Sequence, residues 1–138
     1  MRTKYLIKDI SEQLELNPKT IRFYEDEGII PKAKRNKSNY RVYTTHDVNR
    51  ISFVKKARAL GFSIEDIKKI LAIRDGGEFP CCTVISILEN NDKELEKKIK
   101  EMQDFKHKIE GVIKTFKDNI KLGKDGEICG LIENLFEN

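Results

Sequence analysis

The sequence predicts a mainly α-helical chain: a helix-turn-helix with a basic wing, then a helix pair, then one long helix suited to self-pairing. Three observations carry that expectation. Two short runs with helical apolar spacing flank a tight turn at Asn17-Pro18. A basic, β-prone stretch follows from Ile30 to Tyr43. From Ile85 to Ile120 the chain then repeats apolar residues three and four apart, the spacing of a coiled-coil seam.

Taken in order, Ile7, Ile10 and Leu14 give the first short helix, which Leu16 closes. Asn17 is placed to cap the second helix and Pro18 to occupy its first position, where the missing amide proton costs nothing. That helix runs to about Glu27 and stops at Gly28. Behind it, Pro31 opens a hairpin, Asn36-Lys37-Ser38-Asn39 turns it, and Tyr40-Arg41-Val42-Tyr43 alternates as a strand does. The wing so formed carries Lys32, Lys34, Arg35, Lys37 and Arg41. Thr44 or Thr45 caps a third helix with Val48, Ile51, Val54 and Leu60 on it, ending at Gly61. Ser63 with Asp66 three residues on begins a fourth, built on Ile64, Ile67, Ile70 and Leu71 and finished by Gly76-Gly77.

Pro80 introduces the long helix. Its seam reads Ile85, Leu88, Asp92, Leu95, Ile99, Met102, Lys106, Ile109, Ile113, Phe116, Ile120, with Lys and Glu on the flanks. Two polar positions in so long an apolar stripe leave it in need of a cover, and a second copy is the simplest one. Gly123, Gly126 and Gly130 break the helix into a terminal loop around Cys129. The expected organisation is therefore 1–77 for the winged helix-turn-helix and helix pair, 78–121 for the dimerisation helix, and 122–138 for an effector-binding loop with a short helix.

Charge is distributed unevenly. Residues 1–60 hold 14 Lys/Arg against 7 Asp/Glu, a net +7, whereas residues 61–138 are at −3 within a total of +4. A basic first half is the electrostatic footprint of nucleic acid. No apolar run is long enough for a membrane span, and the start, Met1 to Tyr5, lacks the apolar core of a secretory signal, so the expected compartment is the cytoplasm. The cysteines, Cys81, Cys82 and Cys129, are odd in number and do not suggest a disulfide framework. No glycine-rich phosphate loop, Ser/His/Asp set or pair of catalytic carboxylates stands out, which argues against an enzyme. Four thiolates for an iron–sulfur cluster are not available either.

Thr20-Ile21-Arg22-Phe23-Tyr24-Glu25, Glu27-Gly28-Ile29-Ile30-Pro31, Tyr40-Arg41-Val42-Tyr43 and Ala57-Arg58-Ala59-Leu60-Gly61-Phe62-Ser63 arrive in an order and spacing that resembles the MerR family of bacterial transcription regulators. The likeness covers about residues 5–75; the long helix and cysteine loop more loosely resemble the family's metal-sensing branch. The resemblance implies a homodimer joined by an antiparallel coiled coil. It also implies binding to double-stranded promoter DNA, whose distortion on effector binding lets RNA polymerase use it, a mechanism that works through DNA deformability.

On the second helix, Lys19, Thr20, Arg22 and Phe23 lie away from the apolar Ile21 and are the expected major-groove or phosphate contacts. The resemblance makes Arg22 the groove-contacting arginine, while Phe23 departs from the commoner tyrosine and removes a hydroxyl. Tyr24 is open between core packing and DNA contact. In the wing, Arg35, Tyr40 and Arg41 match backbone-contacting positions; Lys32, Lys34 and Lys37 read equally well as a solvated hairpin. Of Lys55, Lys56 and Arg58 in the third helix, Arg58 is the expected phosphate ligand.

Antiparallel pairing also relates the distant cysteines. Setting Ile85 against the partner's Phe116 brings Cys81 level with the partner's Ile120, with Cys129 following in the loop. Each dimer would then hold two sites, with Cys81 from one chain and Cys129 from the other, and thiolates select soft ions such as Zn, Cd, Pb, Hg or Cu(I). Cys81 resembles the cysteine that opens the helix in divalent-metal sensors, and Cys129 the second loop cysteine. The cysteine usual at the loop start is missing, since that region reads Asn119-Ile120-Lys121. Cys82 is the candidate third thiolate if the helix start is frayed; Asp125 and Glu127 are further candidates. Thiol oxidation or a non-metal ligand is the alternative effector.

Overall fold

The computed structural model describes residues 3–117, 125–133 and 135. The seam position Ile120, the loop start at 119–121 and the helix-breaking Gly123 lie outside the described residues. Two compact units are present, Met1–Asn91 and Asp92–Asn138.

The first unit opens on a strand that the periodicity did not reveal. Lys4–Leu6 forms β1 ahead of the first helix. Three residues are too few to show a period, and their extended state comes from a partner far along the chain: Lys4 sits opposite Thr44 and Leu6 opposite Val42. Helix α1, Ile7–Leu14, follows immediately, with the Asp9 carboxylate accepting from the Leu6 amide at 2.8 Å. It closes at Glu15, whose φ of 52° is left-handed, so that Leu16 can turn back onto the core.

Helix α2, Pro18–Asp26, begins as its sequence dictates: Asn17 Oδ1 accepts from the Lys19 amide at 2.9 Å, and Pro18 stands in the first turn. It ends at Gly28, whose φ of +78° explains the glycine by backbone conformation alone, since no atom lies within 4 Å of a Cβ placed there. The wing consists of β2, Lys34–Arg35, and β3, Arg41–Thr44. With β1 they form a three-stranded antiparallel sheet in the order β1-β3-β2, rather than a lone hairpin.

Thr44 caps α3, Thr45–Ala59, and Ser63 caps α4, Ile64–Asp75; in each the residue three on, Asp47 or Asp66, returns a bond to the cap amide. Ile10, Ile21, Tyr43, Ile51, Val54, Phe62, Ile67 and Ile70 form the buried centre between these helices and the sheet. Arg50 fastens the frame, donating from Nε to the Ile29 carbonyl at 2.8 Å and from a terminal nitrogen to Asp75 at 2.7 Å.

The long helix α5 spans Cys81–Lys117. Its first turns belong to the first unit, where Val84, Ile87 and Leu88 pack on the core and Asn91 donates to the Leu60 carbonyl. In the second unit, α5 continues with no buried residue, and a short helix α6, Gly130–Glu133, follows. Among the described residues no helix is long and apolar enough to cross a membrane.

Candidate nucleic-acid interface and thiol groups

Helix α2 divides cleanly into two faces. Ile21, Tyr24 and Glu25 are buried, while Lys19, Arg22 and Phe23 are exposed and Thr20 is half-buried beside them. The spacing is that of an α-helix with one stripe against a core, which leaves its cations and one aromatic ring facing out. Tyr24, the position left open by the sequence, is only 5% exposed. Burial pushes its phenol above the ordinary tyrosine range, with the nearby Arg58 charge pulling it back down. It therefore supports Phe23, whose ring centroid is 6.0 Å away.

The wing turn is held by its own polar side chains. Asn36 Oδ1 accepts from the amides of Ser38 and Tyr40, both at 3.0 Å, and Asn39 takes a left-handed φ of 67°. Arg35 donates from a terminal guanidinium nitrogen to the Asn39 carbonyl at 2.8 Å, which lays the end of its side chain across the turn and leaves its other N–H groups as donors. Tyr40 stands exposed at the end of the wing, and Arg41 is half-buried with its Nε 4.0 Å from Glu25 Oε2. Lys32, Lys34 and Lys37 are exposed.

In α3 the three candidate cations have separate fates. Lys55 donates from Nζ to the Leu14 carbonyl at the end of α1, capping that helix. Arg58 is exposed, with one terminal nitrogen on the Phe62 carbonyl at 3.0 Å, and retains further donors. Lys56 is exposed.

Two features beside these candidate residues are not legible in the local sequence pattern. One is β1, which anchors the wing strand. The other is Glu25, quoted within a motif but assigned no role. Its position four residues after Ile21 puts it on the buried stripe, and a carboxylate there needs partners. Those partners are the Ala33 amide at 2.9 Å and the Tyr43 hydroxyl at 3.0 Å. Burial, first of all, and then the Glu25 hydrogen bond and charge raise the Tyr43 phenol far above its usual range, with Arg41 and Arg22 opposing.

All three cysteines are free thiols. Cys81 and Cys82 are exposed at the first two positions of α5, and Cys129 is half-buried just before α6, its amide donating to Glu133 at 3.1 Å. Among the described residues no three His, Cys, Asp or Glu side chains of one chain gather as a metal site.

Two family models match the chain, the MerR HTH family regulatory protein over residues 5–72 and the MerR DNA-binding family over residues 48–112. An uncharacterised HTH-type transcriptional regulator of Synechocystis is 35% identical over 130 residues, 94% of this chain and 95% of that protein. The mercuric resistance operon regulatory protein of Bacillus cereus is 29% identical over 134 residues, 97% and 98% of the two chains. In fold, the chain is similar to the lead(II)-bound transcription regulator PbrR691 of Ralstonia metallidurans, with a TM-score of 0.72, 23% identity and coverage of 94% and 97%. With two family models in register along the helix-turn-helix and the helices behind it, and full-length relatives that are transcription regulators, the chain belongs to the MerR family of helix-turn-helix transcriptional regulators.

Proposed function

We propose that this regulator acts as a homodimer on promoter DNA in the cytoplasm and answers to a soft metal ion bound by its cysteines. The observation that carries the DNA-binding face is the outward stripe of α2. Lys19 and Arg22 are exposed on a helix whose other face is locked into the core, beside a wing that presents Arg35 and Tyr40. A rigid helix with solvated cations meets the requirement for groove entry, and the wing supplies phosphate contacts on either side. Arg41 and Arg58 add to the phosphate grip. Bending of the bound promoter then makes it usable by RNA polymerase.

The thiols fit a soft ion chemically. They are unpaired, two of them open a helix, and a thiolate is the donor that Zn, Cd, Pb, Hg or Cu(I) prefers. Cys81 and Cys129 would hold the ion across the dimer, with Cys82 as a third donor. Bound there, the ion would tie two chains together at the start of α5. The relatives include a mercuric resistance regulator, which supports a metal as effector over an organic ligand. A thiol-oxidation response is the second reading, favoured by the exposure of Cys81 and Cys82.

The test of the DNA face uses sequences selected by the protein from a random pool. Arg22→Ala is expected to weaken binding to the selected sequence by about 1–3 kcal/mol and to relax selection at one position. Equal losses on selected and random DNA would make Arg22 a phosphate contact and move sequence reading elsewhere.

A further inference from the structure

The buried carboxylate of Glu25 joins the recognition helix to the wing at three points. Its Oε1 accepts from the Ala33 amide, where the chain enters the wing. Its Oε2 accepts from the Tyr43 hydroxyl on β3 and lies at ion-pair distance, 4.0 Å, from Arg41 Nε on the same strand. The carboxylate is thus satisfied by two neutral donors, and Arg41 is the cation at ion-pair distance from it.

That cation is approached side-on. An arginine carries five N–H donors in a planar fork, and Nε is the inner one. Nε is the nitrogen at ion-pair distance from Glu25, 4.0 Å and so a charge contact longer than a hydrogen bond, which leaves the two terminal nitrogens for another acceptor. The Arg41 side chain is about one third exposed, so it is open to an acceptor from solvent while it remains beside the buried Glu25. We propose that Glu25 is a positioning residue for DNA binding, orienting the Arg41 guanidinium toward a phosphate while holding the wing at a fixed distance from α2. The inference rests on the reading of Arg41 as a phosphate contact.

Glu25→Gln separates orientation from architecture. The amide keeps an oxygen for the Ala33 N–H, and its nitrogen can donate to the Tyr43 oxygen in reverse. Toward Arg41 it presents a donor where an acceptor stood. Binding to a selected DNA sequence should be compared for wild type, Glu25→Gln, Arg41→Ala and the double variant, over a range of salt, with thermal melting as a check on folding. Glu25→Gln is expected to weaken binding about tenfold in the wild-type background, the scale of one charge-assisted bond, and to flatten the salt dependence. In the Arg41→Ala background it should do almost nothing, because the group it positions is gone.

Other outcomes overturn the proposal in distinguishable ways. If Arg41→Ala alone leaves affinity and salt dependence unchanged, Arg41 is not a phosphate contact and the underlying reading fails. If Arg41→Ala weakens binding but Glu25→Gln loses the same factor in both backgrounds, Glu25 is architectural only. Tighter binding for Glu25→Gln in both backgrounds would mean that its charge merely repels phosphate. Should Glu25→Gln fail to fold, Arg41→Lys decides, since it leaves every Glu25 hydrogen bond to Ala33 and Tyr43 in place. A lysine has no inner N–H to be held while its terminal donors reach outward, so its affinity should fall near that of Arg41→Ala. Wild-type affinity for Arg41→Lys would overturn the idea.

Discussion

Single side chains settle several matters that periodicity leaves open. Tyr24 follows Phe23 in sequence, yet one is buried and the other exposed, because successive helix positions are about 100° apart and α2 has one buried stripe. Glu15 illustrates how chain direction can override residue preference. It sits left-handed at the end of α1, a conformation that costs a non-glycine residue about 1–2 kcal/mol, because Leu16 must return to the core within one residue. The prediction is that Glu15→Gly stabilises the chain by about 1 kcal/mol, somewhat less than the full strain because glycine also frees the unfolded chain. Thermal or urea melting measures it. A loss of stability would show that the Glu15 side chain contributes more than its backbone strain costs.

Among the elements, α5 raises the question of cover. Seven large apolar residues lie along it at 44–70% exposure: Ile85, Leu95, Ile99, Met102, Phe105, Ile109 and Ile113. All but Phe105 belong to the seam that the sequence spells out, and within the first unit Leu88 of that seam packs on the core. Pairing with a second copy is the expected remedy. Glu at both Ile99 and Ile109 tests it well, because glutamate is a good helix former and neither site is buried in the single chain. The helix and the first unit should therefore survive, while unpaired charges in the seam prevent association. Sedimentation should show a monomer with unchanged helix content; a tight dimer would place the interface elsewhere. Caps, turns and apolar stripes made α1 to α5 legible in the sequence, because each is a local signal. The strand β1 was not, since three residues acquire their conformation from β3, and neither was the Glu25 junction, whose partners Ala33 and Tyr43 are eight and eighteen residues away.

At the scale of the whole molecule, the thiols belong to different compact units of the chain, Cys81 and Cys82 to the first and Cys129 to the second. If the ion bridges two chains through Cys81 of one and Cys129 of the other, then loss of either thiol removes both sites of a symmetric dimer. Cys81→Ser and Cys129→Ser should each abolish metal-induced transcription while operator binding persists, and Cys82→Ser should be milder. Chelation of the wild-type protein should reproduce the same uninduced state, because a site built by two chains is lost with its ion. A mixed dimer discriminates further. With Cys81→Ser in one chain and Cys129→Ser in the other, both lesions fall in one cross-chain site and the second site is intact. Such a dimer should bind half the metal of wild type, measured by elemental analysis after anaerobic purification. A site confined to one chain predicts no intact site in the mixed dimer, so zero tightly bound metal would refute the bridge. Peroxide in place of metal supplies the remaining arm. Induction by oxidant in metal-free protein would transfer the role of Cys81 and Cys129 from ligand to redox thiol, with the same two residues required.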